Sequence, residues 1–380
     1  MTNITGVLVQ DLWDLRDQFR ASGFDLKLVG GCVRDLLLGI EPKDVDLHTD
    51  ATPDECVQIY EKAGVRYELT GMQHGTITVI FDHVGYEITS LRTDVETDGR
   101  HATVAYTRDW LVDLERRDFT MNAMSMSFEG DILDPFGGEQ DLRDGVVRFV
   151  GDADKRIQED YLRILRWFRF RGRFEKGGHL TLDMTAVIRN ARGLTFISRE
   201  RVWSEVSKIL AGERGPELMW EIHGCGVSHF LNLPHLDSIR DAQEVHKVTR
   251  NPVTLMVRLY GEEAQLVLRK WKASNDEIKL AKDLDWALGW PAGPFYCMAM
   301  KNWSRENALE LAAMLEMGPF ERAVLESWEV PVFPVGGDDL IALGMKPGPK
   351  FSHVLNTLKC TWADHDYSLT KDQLLETLGD

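Results

Sequence analysis

The stretch LVGGCVRDLLLG (residues 28–39), followed within ten residues by DVDL (residues 44–47), carries the most information about the fold of the N-terminal part of this chain. Gly30 and Gly31 after a short apolar run predict a tight turn that opens a helix at Val33. The second stretch alternates aspartate with an apolar residue, which predicts a strand whose two carboxylates leave the same face. Together the two segments predict an α/β unit that contains a strand, a glycine turn and a helix.

The aspartate pair, Asp44 and Asp46, indicates a metal-binding site for phosphoryl transfer. Two neighbouring carboxylates repel each other unless a cation lies between them, and Mg²⁺ prefers such oxygen ligands. The backbone of the Gly30-Gly31 turn and the guanidinium of Arg34 would receive a triphosphate at the start of the helix. Ordinary turn formation and a solvated edge strand account for the same residues, so the neighbouring motifs must decide.

A third carboxylate is available in YEITSLR (residues 86–92), which is the second half of a predicted hairpin from residue 75 to 91. Glu87 on a neighbouring strand would complete a two-metal site with Asp44 and Asp46. An ion pair between Glu87 and Arg92 is the competing interpretation.

Two further motifs combine arginines with aspartates. In RRDFTMNA (residues 116–123), Arg117 and Asp118 would contact a phosphate and a ribose hydroxyl, because a guanidinium binds phosphate in a bidentate manner. In EDYLRILR (residues 159–166), Asp160, Arg163 and Arg166 are spaced for one face of a helix, where they would offer an acceptor and donors to a nucleobase edge. Ordinary salt bridges are the alternative for both motifs.

Composition restricts the class of protein. The chain has 380 residues, which is enough for two or three domains, and its formal net charge of −17 argues against indiscriminate coating of nucleic acid. Residues 155–176 nevertheless contain eight basic and three acidic side chains, so the middle of the chain is locally basic. Five scattered cysteines without a C-x-x-C pair suit a reducing cytoplasm. Neither a leader peptide nor an apolar run long enough for a membrane span is recognisable, so no membrane partner is expected.

The hydrophobic patterning changes along the chain. Up to about residue 125, short strand patterns at 26–29, 44–48, 64–70, 75–82 and 84–91 mix with helix patterns at 5–22, 33–38 and 53–63. After residue 151 helical periodicity dominates. We place a boundary near residue 150, and the turn-rich segment 134–145 before it is a candidate hinge.

Taken in order, four motifs resemble the class II tRNA nucleotidyltransferases, the CCA-adding enzymes, and their bacterial poly(A) polymerase relatives. They are the glycine turn with DVD, the strand around Glu87, RRDFTMNA and EDYLRILR. DGRH (98–101), DPFGG (134–138) and SRERVWSE (198–205) look like further parts of that family. The resemblance is dense between residues 25 and 210.

The resemblance implies an α+β fold and a division of labour along the chain. A nucleotidyltransferase head with a small mixed sheet would occupy residues 1–150, a helical neck that reads the base 151–215, and a helical body and tail that contact tRNA 216–380. Asp44, Asp46 and Glu87 would hold two Mg²⁺ ions. The nucleotide would be bound by the following residues: Gly30, Gly31, Arg34, Arg117, Asp118, Asn122, Asp160, Arg163 and Arg166.

The implied activity is addition of C, C and A to the tRNA 3′ end from CTP and ATP, without a nucleic-acid template. A poly(A) polymerase or a partial CC- or A-adding enzyme shares this chemistry and remains open. An RNA-binding relative without catalysis is the rival from another class. The intact acidic and arginine motifs argue against that rival, and the absence of a long basic C-terminal extension favours CCA addition.

Overall fold

A mixed β-sheet with flanking helices forms the N-terminal part of the chain, and helices dominate the remainder. The computed structural model describes residues 9–97, 102–176, 182–236, 238–289 and 293–378. Contacts divide the chain into two compact units, Met1–Leu233 and Pro234–Asp380. The DGRH motif at 98–101 lies outside the described residues, as do the first eight residues, where helix was predicted from residue 5.

Helices and strands alternate at the start of the N-terminal part, and a run of five strands follows. In chain order they are α1 (Gln10–Ala21), β1 (Leu26–Val29), α2 (Gly31–Leu37), β2 (Leu47–Thr49), α3 (Pro53–Ala63), β3 (Arg66–Glu68), β4 (Thr76–Phe81), β5 (Val84–Ser90), β6 (Arg92–Thr97), β7 (Ala102–Tyr106), α4 (Trp110–Glu115), β8 (Ser125–Met126), β9 (Ile132–Leu133) and α5 (Gly138–Asp144). The helix predicted at 53–63 is confirmed. Its start is fixed by Pro53 and by a reciprocal capping box between Thr52 and Glu55.

The described strands form one sheet of seven in the order β3-β4-β5-β2-β1-β8-β9, and β6 pairs with β7 in a separate ribbon. β2 and β5 run parallel, whereas the other neighbours in the large sheet are antiparallel. The predicted hairpin is confirmed, and its turn uses Asp82 and His83 in left-handed conformations. The mixed sheet predicted for the head is therefore present.

The DVD segment differs from its prediction. The strand begins at Leu47, so Asp44 and Asp46 precede β2 in irregular backbone. Pairing starts slightly earlier than the strand itself, since the N–H of Val29 donates to the carbonyl of Asp46 at 3.0 Å. The carboxylates therefore lie at the mouth of the sheet, where the chain enters it, rather than within the ladder.

One core stabilises this sheet. Helices α1 and α3 cover one face, and burial of their apolar side chains against the strands is the main favourable contribution to folding of this part. The buried residues of this core include Leu12, Leu15, Phe19, Leu28, Leu47, Ile59, Tyr60, Val79 and Ile88. The opposite face carries Lys27 and His48 of β1 and β2, which are paired in register.

Helices follow from residue 153. In the first unit they are α6 (Ala153–Glu159), α7 (Arg163–Phe174), α8 (Leu182–Asn190), α9 (Arg199–Ala211), α10 (Gly215–Gly224) and α11 (Val227–Leu231). In the second unit they are α12 (Ile239–His246), α13 (Pro252–Tyr260), α14 (Glu263–Lys270), α15 (Asn275–Gly289), α16 (Pro294–Lys301), α17 (Arg305–Met314), α18 (Pro319–Ser327), α19 (Gly337–Ala342), α20 (Pro349–Asp364) and α21 (Lys371–Glu376). The predicted α+β class with a helical continuation is confirmed.

The second unit has apolar cores of its own. One cluster joins Leu340 of α19, Leu358 and Trp362 of α20 and Leu374 of α21. Another lies around Ala308 and Ala312 of α17. Over the described ranges, no helix combines the length and the apolar character that a membrane crossing requires.

Two segments have structures that their sequences did not predict. EDYLRILR is not one helix, because α6 ends at Glu159 and α7 begins at Arg163. The break is stabilised by Asp160, whose side chain accepts the N–H of Leu162 at 3.1 Å. The candidate hinge at 134–145 is largely helical, since α5 occupies it and Asp134 accepts the N–H of Gly138 at 2.7 Å.

Candidate active site

The glycine turn brings backbone and guanidinium groups together at the end of β1. Gly30 has φ of 74°, in the left-handed region that glycine adopts most readily, and it caps α2. A Cβ atom at Gly30 would lie 2.8 Å from Nη1 of Arg117, so a larger residue would displace that side chain. Gly31 has more room, because a Cβ atom there would lie 3.6 Å from Nη2 of Arg34. Glycine at position 30 therefore also allows the backbone of the turn to lie close to the Arg117 side chain.

The three predicted metal-binding carboxylates lie near one another. Leu47 of β2 is in register with Ile88 of β5, so the preceding residues, Asp46 and Glu87, are neighbours on the opposite face. Partial burial and the negative charges of Glu87 and Asp44 raise the pKa of Asp46, while the charge of Arg117 opposes the rise. A cation among these carboxylates would remove that repulsion, and oxygen donors alone suit a hard divalent ion.

A metal ion bound by these carboxylates would need further ligands from outside the protein. Across the residues that the structure describes, no three His, Cys, Asp or Glu side chains converge closely enough to hold an ion by themselves. Asp44 and Asp46 line a cavity of about 390 Å³, whereas Glu87 is absent from its lining residues. Glu87 as a third ligand remains a prediction.

The cavity next to Asp44 and Asp46 has room for part of a nucleotide. Arg34, Lys43 and Arg173 also line it, together with Gly31, Glu41 and Asp35, and Asp35 forms ion pairs with both arginines. Cavities of a few hundred Å³ with a few convergent polar groups are typical ligand sites.

Asp118 lies at the centre of a buried hydrogen-bond cluster. Its Oδ1 accepts Nδ2 of Asn122 at 3.1 Å, and its Oδ2 accepts Nε of Arg166 at 2.7 Å. Asn122 in turn accepts Nη1 of Arg34 at 2.7 Å. Burial opposes ionisation of Asp118, but the charge of Arg166 and the hydrogen bonds outweigh it and lower the pKa of Asp118. One hydrogen-bond network thus joins four residues that the sequence predicts to contact the nucleotide: Arg34, Asp118, Asn122 and Arg166.

Arg117 keeps an unused donor. Its Nη2 donates to Asp113 at 3.4 Å, while its buried Nε has no hydrogen-bond partner among the described residues. Buried polar atoms are rarely left unpaired, so this donor is an observation that a bound anionic group would explain. The position of Arg117 beside Gly30 and within the field of Asp46 supports the predicted phosphate contact.

Asp160 and Arg163 do not pair as the helical spacing predicted. Oδ2 of Asp160 accepts Nη2 of Arg201 at 2.6 Å. Arg163 donates to Glu159 at 2.6 Å and to the carbonyl of Arg116 at 3.0 Å. The break between α6 and α7 separates the two side chains. Arg163 nevertheless anchors α7 to residues 116–118, the RRD segment. This contact brings Arg163, which is predicted to read the base, close to Asp118, which is predicted to contact the ribose.

The sequence did not single out several residues that complete the site. They are Lys43 and Arg173, which line the cavity, Asp113, which contacts the RRD segment, His48, which contacts Asp113, and Arg201, which holds Asp160. Asp113 had a signal in its sequence spacing, because it stands three and four residues before Arg116 and Arg117 on a helix. Arg201 belongs to the SRERVWSE motif and Arg173 to the basic segment 155–176, but neither position indicated a contact with the site, since only tertiary packing brings them there.

Comparisons with known proteins identify the family of this chain. Residues 26–148 match the family model described as the poly A polymerase head domain. The chain is 38% identical to the mitochondrial CCA tRNA nucleotidyltransferase 1 of Danio rerio, in a match that covers 96% of this chain and 89% of the relative. It is 40% identical to the CCA-adding enzyme of Geobacillus stearothermophilus over 71% of this chain and 68% of that enzyme.

A solved structure supports the same relationship. The crystal structure of the Bacillus stearothermophilus CCA-adding enzyme in complex with CTP superposes with a TM-score of 0.77 at 29% identity, covering 94% of this chain and 93% of that one. The similarity extends over the head, where the glycine turn and the aspartates lie, and over the helical remainder. The chain belongs to the CCA-adding enzymes, a family of tRNA nucleotidyltransferases.

Proposed function

We propose that this protein adds C, C and A to the tRNA 3′ end from CTP and ATP, releasing pyrophosphate at each step and using no nucleic-acid template. The observation that carries the proposal is the cavity where Asp44 and Asp46 face Arg34 beside the glycine turn. In each step a bond forms between the primer 3′ oxygen and the α-phosphorus, and the bond to the leaving pyrophosphate breaks. The relatives named above support the same activity.

Asp44, Asp46 and Glu87 would hold two Mg²⁺ ions. When bound, such ions acidify the attacking hydroxyl and stabilise the charge that develops on the α-phosphoryl group. Burial makes the largest contribution to the raised pKa of Asp46, and the negative charges of Glu87 and Asp44 add to it; the nearness of these three carboxylates supports the assignment, because a cation would relieve their repulsion. The protein would contribute to this step by holding its carboxylates at a fixed spacing at the mouth of the sheet.

The nucleotide would be held by the turn and the buried network. Arg34 and Arg117 would bind the triphosphate beside Gly30 and Gly31, and the unpaired Nε of Arg117 supports this. Asp118 and Asn122 would contact the ribose. Since a buried polar group left unpaired costs about 1 to 3 kcal/mol, a 2′-hydroxyl partner gives selectivity for ribonucleotides.

Base selection would fall to Asp160, Arg163 and Arg166. In the present arrangement Asp160 is bonded to Arg201 and Arg163 to Glu159. Reading a Watson–Crick edge therefore requires these side chains to exchange a protein partner for the base. This exchange would also be the means by which the preference changes from C to A, with residues 134–145 as the proposed hinge.

The division into head (1–150), neck (151–215) and tRNA-contacting body and tail (216–380) is part of the proposal. In the second unit a cavity of about 460 Å³ has two lysines and two tryptophans among its lining residues: Lys279, Lys301, Trp286 and Trp303. Lys301 lies over the Trp286 ring with Nζ 5.0 Å from the centroid. Cations combined with aromatic faces are typical of RNA contacts. Changing both lysines to glutamine should weaken tRNA binding and flatten its salt dependence, whereas Lys371→Gln should not.

The deciding experiment supplies purified protein with tRNAs that end before the first C, after one C or after two, together with CTP, ATP or both and Mg²⁺. Addition of C, C and A followed by arrest is the expected result. An unbounded A tail with ATP alone would indicate a poly(A) polymerase, and arrest after CC or addition of A only would indicate a partial enzyme. No incorporation with retained tRNA binding would indicate the non-catalytic relative.

The proposed compartment is the cytoplasm. All five cysteines are free thiols, which suits a reducing environment. The Danio rerio relative carries a mitochondrial name, so a fluorescent fusion imaged against a mitochondrial marker is the appropriate test.

A further inference from the structure

Asp113 is a buried carboxylate on which much of the site depends. It is 1% exposed and lies on α4, which precedes the RRD segment. Its Oδ1 accepts Nη2 of Arg116 at 2.8 Å and the backbone N–H of Arg92 at 3.4 Å. Its Oδ2 accepts Nη2 of Arg117 at 3.4 Å and lies 3.3 Å from Nδ1 of His48. Four groups from three parts of the chain therefore converge on one side chain.

The partners of Asp113 belong to the elements that carry the site. His48 lies on β2, two residues after Asp46, and Arg92 begins β6, directly after the strand that carries Glu87. Arg116 and Arg117 lead into Asp118. Asp113 thus connects the strands beside the carboxylates to the segment that would hold phosphate and ribose.

The connection continues to β8. Because the carboxylate of Asp113 can only accept, His48 donates through Nδ1 and its Nε2 accepts from the hydroxyl of Ser125 at 2.8 Å. Ser125 pairs with Val29, the residue before the glycine turn. Next to Ser125, the carbonyl of Met124 accepts the N–H of Gly30 at 3.0 Å. A chain of hydrogen bonds therefore runs from the Ser125 side chain, beside the glycine turn, through His48 and Asp113 to Arg117.

Charge balance at this point depends on Asp113. Arg116, Arg117 and Lys27 bring positive charge to the neighbourhood, and Arg117 has lost most of its contact with water. A buried charge that loses its partner is strongly destabilising, so Arg117 would move toward solvent if the carboxylate were neutralised. The Arg117 guanidinium lies in the space that a Cβ atom at position 30 would enter, 2.8 Å from Nη1, so its present place is directly against the turn.

We infer that Asp113 is a positioning residue for nucleotide binding, which holds the Arg117 guanidinium beside the Gly30 turn and at a fixed position relative to β2 and β5. This inference rests on the proposed nucleotidyltransferase function. It predicts a selective loss of nucleotide affinity when the charge of Asp113 is removed, with the tRNA affinity retained.

The test measures kcat, the KM for CTP and the KM for tRNA during addition of one C, together with the thermal midpoint. Asp113→Asn keeps the size and one acceptor oxygen but removes the charge, so the KM for CTP should rise about tenfold while the KM for tRNA stays the same. Glu221→Gln is the matched control, because Glu221 also receives two arginines, Arg171 at 2.7 Å and Arg214 at 3.0 Å, away from the site.

A second variant separates positioning from general destabilisation. Asp113→Asn combined with Arg116→Gln removes the excess positive charge and should recover part of the CTP affinity. If Asp113→Asn does not accumulate as folded protein, Ser125→Ala cuts the same path at its outer end and should raise the KM for CTP about twofold to threefold.

Three results would overturn the inference: equal changes in the KM for CTP and for tRNA, the same kinetic change in Glu221→Gln, or an unchanged KM for CTP in folded Asp113→Asn and Ser125→Ala. An inactive wild-type protein measured in parallel would instead contradict the proposed function, so the two failures are distinguishable.

Discussion

Two groups of aspartates in the head differ in the surroundings of their negative charges. Asp44 and Asp46 stand at the mouth of the sheet, where partial burial and the negative charges of Glu87 and Asp44 raise the pKa of Asp46. Asp113 and Asp118 are buried, and burial opposes their ionisation. The hydrogen bond from His48 and the charges of Arg116 and Arg117 nevertheless lower the pKa of Asp113, and the charge of Arg166 lowers the pKa of Asp118. The first group has unsatisfied affinity for cations, whereas the second uses its charge to hold arginines in place. The same residue type therefore serves binding in one position and support in the other.

The largest effect is expected when one member of the exposed pair, Asp44 or Asp46, is replaced. Asp46→Ala and Asp44→Ala should each reduce nucleotide incorporation by at least about a thousandfold, because metal-assisted charge stabilisation is worth several kcal/mol. Affinity for tRNA, measured by filter binding, should remain close to that of the wild type. Asp54→Ala, which removes an exposed carboxylate of α3, is the control and should keep full activity. Substantial activity in Asp46→Ala would contradict the assignment of the pair.

Neutralising the buried Asp118 should act mainly on the sugar. Asp118→Asn removes the acceptor charge beside Asn122 and Arg166, so the preference for CTP over dCTP should fall about tenfold to a hundredfold. The measurement is kcat/KM for both nucleotides. Glu221→Gln is the control, since the carboxylate of Glu221 also pairs with an arginine, Arg171 at 2.7 Å, away from the site. An unchanged preference would show that Asp118 is structural only.

Acid should remove the contribution of the buried Asp118 carboxylate to the free energy of unfolding. The pKa of Asp118 is lower in the folded chain than in the unfolded chain, so its stabilising contribution is complete above about pH 5 and is lost as the pH falls below about 4. The difference in unfolding free energy between wild type and Asp118→Asn, about 1 to 3 kcal/mol at pH 7, should therefore shrink as the pH approaches 3. Denaturant titrations at several pH values measure it, and a constant difference would contradict the ionised pair.

The smallest expected effect concerns base choice. Arg201→Gln removes the guanidinium that holds Asp160, so selection of CTP and ATP over UTP and GTP should weaken about threefold to tenfold. Arg189→Gln, which removes an exposed ion pair with Asp154, should leave selection unchanged. Competition assays with mixed nucleotides give the ratio. Equal losses for all four nucleotides would place Arg201 outside base selection.

Local patterns in the sequence were informative where neighbours in the chain are also neighbours in the fold. The turn at Gly30-Gly31, the helix at 53–63 and the hairpin that carries Glu87 follow from short-range rules of backbone preference and alternation. The same rules failed at EDYLRILR, because the capping side chain of Asp160 competes with the helix and ends it. They also placed the DVD segment inside a strand that begins only at Leu47.

Residue patterns predicted an α/β unit followed by helices, and the motifs carried the family resemblance that implies the α+β class. Which charges meet is a property of the folded chain alone. Arg166 reaches Asp118 over 48 positions in the chain, and Arg201 rather than Arg163 holds Asp160. His48 and Asp113 meet although 65 positions separate them. Charge pairing between distant segments depends on burial and distance in three dimensions, and neither is encoded in local spacing.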